Sequence, residues 1–217
     1  MDIEPSNMQR RLPVYLLFDC SGSMAGEPIA AMEMGLQNLI GDLRFDPVCI
    51  DSVWVSVIAF SSAVELLTPL TWIDEVELPP LDASGTTSLG EAVTFVSSQI
   101  DIEVRKTNAH QKGDWKPMVF VFTDGEPTDD WEESVDSFHQ SGKAVIVACG
   151  AGPEADDDVL KRLGHHALRL HDTQPGTLAN FMQWVSVSVT SRSHSIGISS
   201  EEPEVLPPPP QAEVLVP

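Results

Sequence analysis

One carboxylate and two hydroxyls fall at alternate positions in Asp19-Cys20-Ser21-Gly22-Ser23, directly after the apolar run 14–18 (VYLLF). The run reads as a strand that ends in a tight, glycine-containing turn. Oxygen-only ligands suit a hard divalent cation such as Mg²⁺, which prefers octahedral geometry and keeps several waters. No nucleophile with a base beside it belongs to the set, so the segment points to a metal-dependent binder before an enzyme. Two further segments offer matching groups. Thr86 lies in Ser84-Gly85-Thr86-Thr87, and Asp124 follows the apolar run 118–122 (MVFVF). If the three converge, Asp19, Ser21, Ser23, Thr86 and Asp124 surround one cation and leave a place for water or an incoming group. Two aspartates balance the charge of a divalent ion, while neutral hydroxyls leave it electron-poor. Such a metal accepts a carboxylate from another protein.

The elements that must position these groups alternate along the chain. Run 14–18 is unbroken and apolar, as expected of a strand covered on both faces in a parallel sheet. Glu27-Pro28 opens a helix, with Pro where a missing N–H is harmless, and Ile29, Met32, Leu36, Leu39, Ile40 and Leu43 form its core stripe. Residues 53–60 are a second strand. Residues 64–70 pair with it as an antiparallel edge, since Pro69 blocks a central place. Ser88-Leu89-Gly90-Glu91 reads as a capping box for a helix to about residue 104. A strand at 118–122, a helix from about 130 to 141 ended by Gly142, a strand at 144–148 and a short helix at 156–163 follow. A strand at 168–170 and a helix at 177–190 complete the series. The pattern predicts an α/β domain: a doubly wound, mostly parallel sheet with one antiparallel edge strand and helices on both faces. Ligands of such folds bind at the carboxyl ends of the strands, near the topological switch point. Asp19 and Asp124 both stand at that edge.

The expected division is an N-terminal extension at 1–11, the domain at 12–192, and a Pro/Glu-rich tail at 193–217 containing Pro207–Pro210. The tail reads as extended, although Val214-Leu215-Val216 offers an apolar patch that could dock on the body. With 42% hydrophobic residues the body can bury a core, and with 12 Lys and Arg against 33 Asp and Glu the formal net charge is −21. That charge repels phosphate backbones, which argues against nucleic-acid partners. Three scattered cysteines show no zinc spacing and must leave a thiol free, which fits a reducing compartment. No apolar run approaches the roughly 18–20 residues of a membrane span. A cytoplasmic protein without membrane contact is expected.

The segments DxSxS, Gly-Thr and Thr-Asp-Gly, in this order, resemble the metal-ion-dependent adhesion site of von Willebrand factor type A domains. The likeness spans about residues 12–190. More narrowly, LPVYLLFDCSGSMAGEPI, EVRKT, QKGDWKP and VFTDGEPTDDW resemble the TerY-type proteins of bacterial tellurite resistance. The resemblance implies a non-enzymatic, metal-dependent protein-interaction module in a tellurite-resistance and stress-response complex. It implies Mg²⁺ as the ion, with Mn²⁺ or Ca²⁺ as alternatives, and a Ser/Thr kinase and a PP2C-type phosphatase as companions. Ser21, Ser23 and Thr86 would touch the metal directly, and Asp19 and Asp124 directly or through water. Thr86 is preferred because it follows Gly85 as the family's ligand follows its glycine. Thr87 stands as the alternative.

Blander readings account for other polar residues. Asp129 and Asp130 each precede a Glu by three, so they are expected to cap the next helix rather than bind metal. Asp156-Asp157-Asp158 reads as charge at a helix start. His165-His166 lacks a carboxylate or thiol at ligand spacing. Cys20 alternates away from the ligands toward the core. The scattered tryptophans read as packing, with Trp131 beside the site. The rival function is a metal-dependent phosphohydrolase with Asp19 as nucleophile, but Ser21 occupies the place where such enzymes need a second acid. A third expectation is phosphorylation of the Ser- and Thr-rich stretch Thr190 to Ser200.

Overall fold

The computed structural model describes residues 10–195, 207–209 and 211–216. β1 (Leu12–Asp19) is buried along its whole length. Side chains of a strand point alternately to opposite faces. Accordingly Leu12, Val14, Leu16 and Phe18 enter one core, and Tyr15 and Leu17 enter another. An unbroken apolar strand therefore requires cover on both sides, and the helices provide it. α1 (Glu27–Phe45), α2 (Pro47–Ser52) and α6 (Pro175–Ser195) close the first face. α3 (Leu89–Glu103), α4 (Glu132–Ser141) and α5 (Asp157–Leu163) close the second.

β2 (Val53–Phe60), β4 (Met118–Thr123), β5 (Val145–Ala151) and β6 (His166–Leu170) join β1 in parallel. β3 (Val64–Trp72) and β7 (Ala212–Leu215) close the two edges antiparallel, giving the order β3-β2-β1-β4-β5-β6-β7. The expected fold class holds. β2 lies on one side of β1 and β4 on the other, so the switch point falls between β1 and β4, at the carboxyl ends carrying Asp19 and Asp124.

Several boundaries differ from the sequence reading for identifiable reasons. β3 passes Pro69 and runs to Trp72, because an irregularity opposite Val55–Val57 takes the imino acid out of the ladder. The Leu70 N–H released there is satisfied by Glu103 Oε1 at 2.9 Å. α6 runs to Ser195, and Ser193 is buried with its hydroxyl 2.8 Å from that of Ser52. That end of the stretch expected to be accessible for phosphorylation is thus packed, while Ser199 and Ser200 lie outside the described residues. The patch at Val214-Leu215 docks as β7, so residues on both sides of the expected boundary at 192 belong to one sheet.

Candidate metal centre

Three loops meet at the carboxyl edge of β1 and β4, and backbone hydrogen bonds fix their spacing. The Cys20 N–H donates to Phe60 O at 2.8 Å, Ser84 N–H to Cys20 O at 2.7 Å, and Gly22 N–H to Gly85 O at 3.0 Å. Gly85 has φ +80°, a conformation L side chains rarely adopt, and a Cβ there would lie 2.3 Å from Ser62 Oγ. A 3₁₀ turn at Gly22–Met24 then folds Ser23 back toward the strand end.

Asp19 is completely buried. Its Oδ1 accepts the Ser21 N–H at 2.8 Å and its Oδ2 accepts the Thr123 hydroxyl at 2.6 Å. Asp124 is 6% exposed and accepts the Ser23 hydroxyl at 2.9 Å. The Ser21 and Ser23 hydroxyls are 3.0 Å apart. Asp19, Ser21, Ser23 and Asp124 therefore form one connected cluster, as the sequence predicts.

Thr86 does not join it. Its side chain is exposed, and its hydroxyl lies 3.1 Å from that of Ser62, away from the carboxylates. Thr87 is 5% exposed, and it is the residue of this pair that helps hold the Asp19 carboxyl down. Thr128 holds Thr87 from the neighbouring loop, its N–H donating to Thr87 O at 2.8 Å. Of the two threonines the sequence offers, the preferred Thr86 is held outward by Ser62, whose Oγ accepts its N–H at 3.0 Å, and the alternative Thr87 is the buried one. Thr123 belongs to the Thr-Asp-Gly segment, but the sequence gives it no role. It stands opposite Asp19 only through the β1–β4 register, which pairs Phe18 with Phe122.

The electrostatics suit a cation. Burial pushes the Asp19 carboxyl above its ordinary value, and the hydrogen bonds from Thr123, Ser21 and Thr87 pull the other way. Burial also raises Asp124; the Ser23 hydrogen bond lowers it and the Asp19 charge adds to the rise. Among the described residues no salt bridge reaches either aspartate. No group of three or more His, Cys, Asp or Glu side chains gathers anywhere among them. The set is two carboxylates with hydroxyls, which matches the few protein carboxylates that Mg²⁺ uses beside its waters. Buried negative charge without a counter-ion is costly, and a divalent cation would supply the missing charge.

The remaining polar residues have structural work. Asp129 caps α3 and not α4, accepting the Gly90 and Glu91 N–H groups at 3.2 and 3.0 Å. The expected box fails because the Ser88 side chain makes no capping bond. Asp156 caps α5 through the N–H groups of Asp158 and Val159. His165 accepts the Ile146 N–H at 3.0 Å and packs on His139. Cys20 points into the first core, and burial pushes its thiol up to about 12. Trp131 packs against the second core with the Arg162 guanidinium 5.5 Å from its ring centre.

A doubly wound sheet with an all-oxygen cluster at its switch point defines the class, an α/β domain with its loops gathered at the carboxyl edge of a mostly parallel sheet. The chain belongs to the von Willebrand factor type A domain family, whose model matches residues 14–183. Solved structures share the fold. The ArnB paralog VWA2 from Sulfolobus acidocaldarius superposes with TM-score 0.59 at 18% identity, over 82% of this chain and 45% of its own. A von Willebrand factor type A protein from Catenulispora acidiphila gives TM-score 0.63 at 17% identity, over 82% and 42%. Proximal thread matrix protein 1 of the mussel byssus, solved with zinc in its MIDAS motif, gives 0.56 at 20%, over 82% and 45%. This chain thus spans under half the length of each. The comparison with curated protein sequences finds no match. Among the described residues no helix is long and apolar enough to cross a membrane.

Proposed function

We propose that this chain is a metal-ion-dependent protein-interaction module. A divalent cation, Mg²⁺ in our reading with Mn²⁺ or Ca²⁺ as substitutes, is held by Asp19, Ser21, Ser23, Asp124 and Thr87, the last in place of Thr86. Its free coordination place takes a carboxylate from a partner protein. The observation that carries this reading is a pair of buried aspartates linked through Ser21 and Ser23, with no salt bridge to either among the described residues. The zinc-occupied motif of the mussel byssus protein supports it by analogy of fold.

The narrower motifs EVRKT and QKGDWKP support a TerY-type role in a cytoplasmic tellurite-resistance and stress-response complex, with a Ser/Thr kinase and a PP2C-type phosphatase as partners. The activity is recognition and not turnover, because Ser21 stands two residues after Asp19 where a phosphohydrolase would need an acid. The test is capture of partners from cells of the source organism in Mg²⁺ and in EDTA. Partners retained in Mg²⁺, and lost both in EDTA and with Asp124→Asn, support the reading. Equal capture in all conditions removes the metal bridge. Mg²⁺-dependent phosphomonoester turnover lost on Asp19→Asn would make the chain a phosphohydrolase instead.

A further inference from the structure

We infer that the cavity at the opposite end of the sheet binds an acidic peptide segment of a partner protein, independently of the metal. Cations are scarce in this chain, 12 against 33 acids, and they are not evenly spread. Arg105, Lys106, Lys112 and Lys116 lie on the loop between α3 and β4. Arg10 and Arg11 precede β1, and Lys143 precedes β5. More than half of the positive side chains therefore belong to segments at the amino-terminal edge of the sheet. The metal site is at the other edge, roughly 23 Å away for seven residue steps along β1.

The loop is a built structure. The Asp114 side chain is 1% exposed, pairs with the Arg11 guanidinium at 2.5 Å and accepts the Arg105 N–H at 2.7 Å. Gly113 packs so closely that a Cβ would lie 2.6 Å from Arg105 O. The Arg10 guanidinium stacks 3.4 Å from the Trp115 ring centre while its Nε–H donates to Gly113 O at 2.7 Å. Segments 103–107 and 111–117 thus close on one another around a buried ion pair, and they present their lysines on a fixed frame.

Beside this frame is a cavity of about 360 Å³. Its walls combine Val104, Trp115 and Pro117 with Lys106, Lys116 and Lys143, and its two carboxylates, Asp101 and Asp114, are each paired with a cation. Lys143 is committed to Asp101, and Lys106 also bears electrostatically on that carboxylate. Lys106 and Lys116 make no hydrogen bond or ion pair among the described residues. Two ammonium groups without a hydrogen bond or ion pair, beside an apolar wall, fit a carboxylate-bearing segment with a neighbouring apolar side chain, and the volume lies in the range of ligand sites. A long polyanion or an anionic membrane would meet the field of the whole −21 chain. A short acidic segment meets mainly charges within a Debye length, roughly 8–10 Å.

The test is fluorescence anisotropy of the full chain with a fluorescein-labelled peptide of alternating glutamate and leucine, in EDTA. Binding is expected without metal and is expected to weaken as NaCl rises. The double variant Lys106→Glu/Lys116→Glu should raise Kd by about tenfold or more, and Lys106→Gln/Lys116→Gln by an intermediate factor. Lys161→Glu, on α5, should leave Kd unchanged. Both double variants should melt like the wild type, since neither lysine holds the fold. Wild-type affinity in the double variants, or an equal loss with Lys161→Glu, overturns the inference. Binding that requires Mg²⁺ would move the peptide to the metal site, and equally tight binding of labelled duplex DNA would overturn the assigned class.

Discussion

Replacing Asp124 with Asn separates the two contributions this carboxylate makes, one to the metal and one to the fold. The Asn Oδ1 can still accept the Ser23 hydroxyl, which now donates to Asp124 at 2.9 Å. The change therefore removes a charge and little else. In the metal-free protein that charge is unfavourable, because burial and the Asp19 carboxylate both raise the Asp124 pKa. The apo variant should melt no lower than the wild type. Metal binding should respond in the opposite direction. A divalent ion 4 Å from a carboxylate gains about 8 kcal/mol at an effective dielectric of 20, before dehydration is counted. If one third survives, the loss is about 2.7 kcal/mol, or roughly a hundredfold in Kd. At a Mg²⁺ concentration of 100 times Kd the wild type gains about 2.7 kcal/mol and the variant about 0.4. For a domain of this size that is a shift of roughly 5–10 °C against about 1 °C. Differential scanning fluorimetry with Mg²⁺ and Mn²⁺ titrations reads both arms. A variant with the full metal-induced shift, or a wild type with none, would refute the placement of a cation between Asp19 and Asp124.

Other outcomes follow from single contacts. Asp114→Ala leaves the Arg11 guanidinium, itself 9% exposed, with only the Glu103 carbonyl and no counter-charge, and should destabilise the fold by about 3–5 kcal/mol in urea unfolding. Gly90→Ala would place a Cβ 2.6 Å from Asp130 O and 2.8 Å from Trp131 Cα. Overpacking of about 1–3 kcal/mol should exceed the gain of up to about 1 kcal/mol in helix propensity, giving a lower melting temperature. Asp19 and Asp124 titrate above their ordinary 3.8 when folded and metal-free, so the folded state binds protons more readily than the unfolded chain. Their contribution should therefore stabilise the apo protein as pH falls from their raised values toward 3.8, with the gain complete below it, and metal-induced stabilisation should vanish over the same window. The wild type minus Asp124→Asn difference isolates Asp124's share of this from paired surface acids such as Asp136, whose depressed pKa acts in the opposite sense. Thr87→Val should abolish most of the metal shift and Thr86→Val little of it, which a calorimetric titration can decide.

What the sequence by itself determined is the alternation of elements and four of the clustered oxygens. Unbroken apolar runs at 14–18 and 118–122 can be satisfied only by cover on both faces, and DxSxS keeps its groups together through local turn geometry. Both signals are short-range, so they survive reading without coordinates. Tertiary structure decided the rest. Thr86 faces away from the cluster because Ser62, across the loop, holds its N–H and hydroxyl, which leaves Thr87 as the buried threonine. Asp129 capped α3 and not its own neighbour because packing brings the 129–131 loop against Gly90. Thr123 met Asp19 through strand register, and residues 212–215 became a strand because β6 had an open edge. Each of these depends on contacts between residues distant in sequence, for which chain periodicity carries no signal.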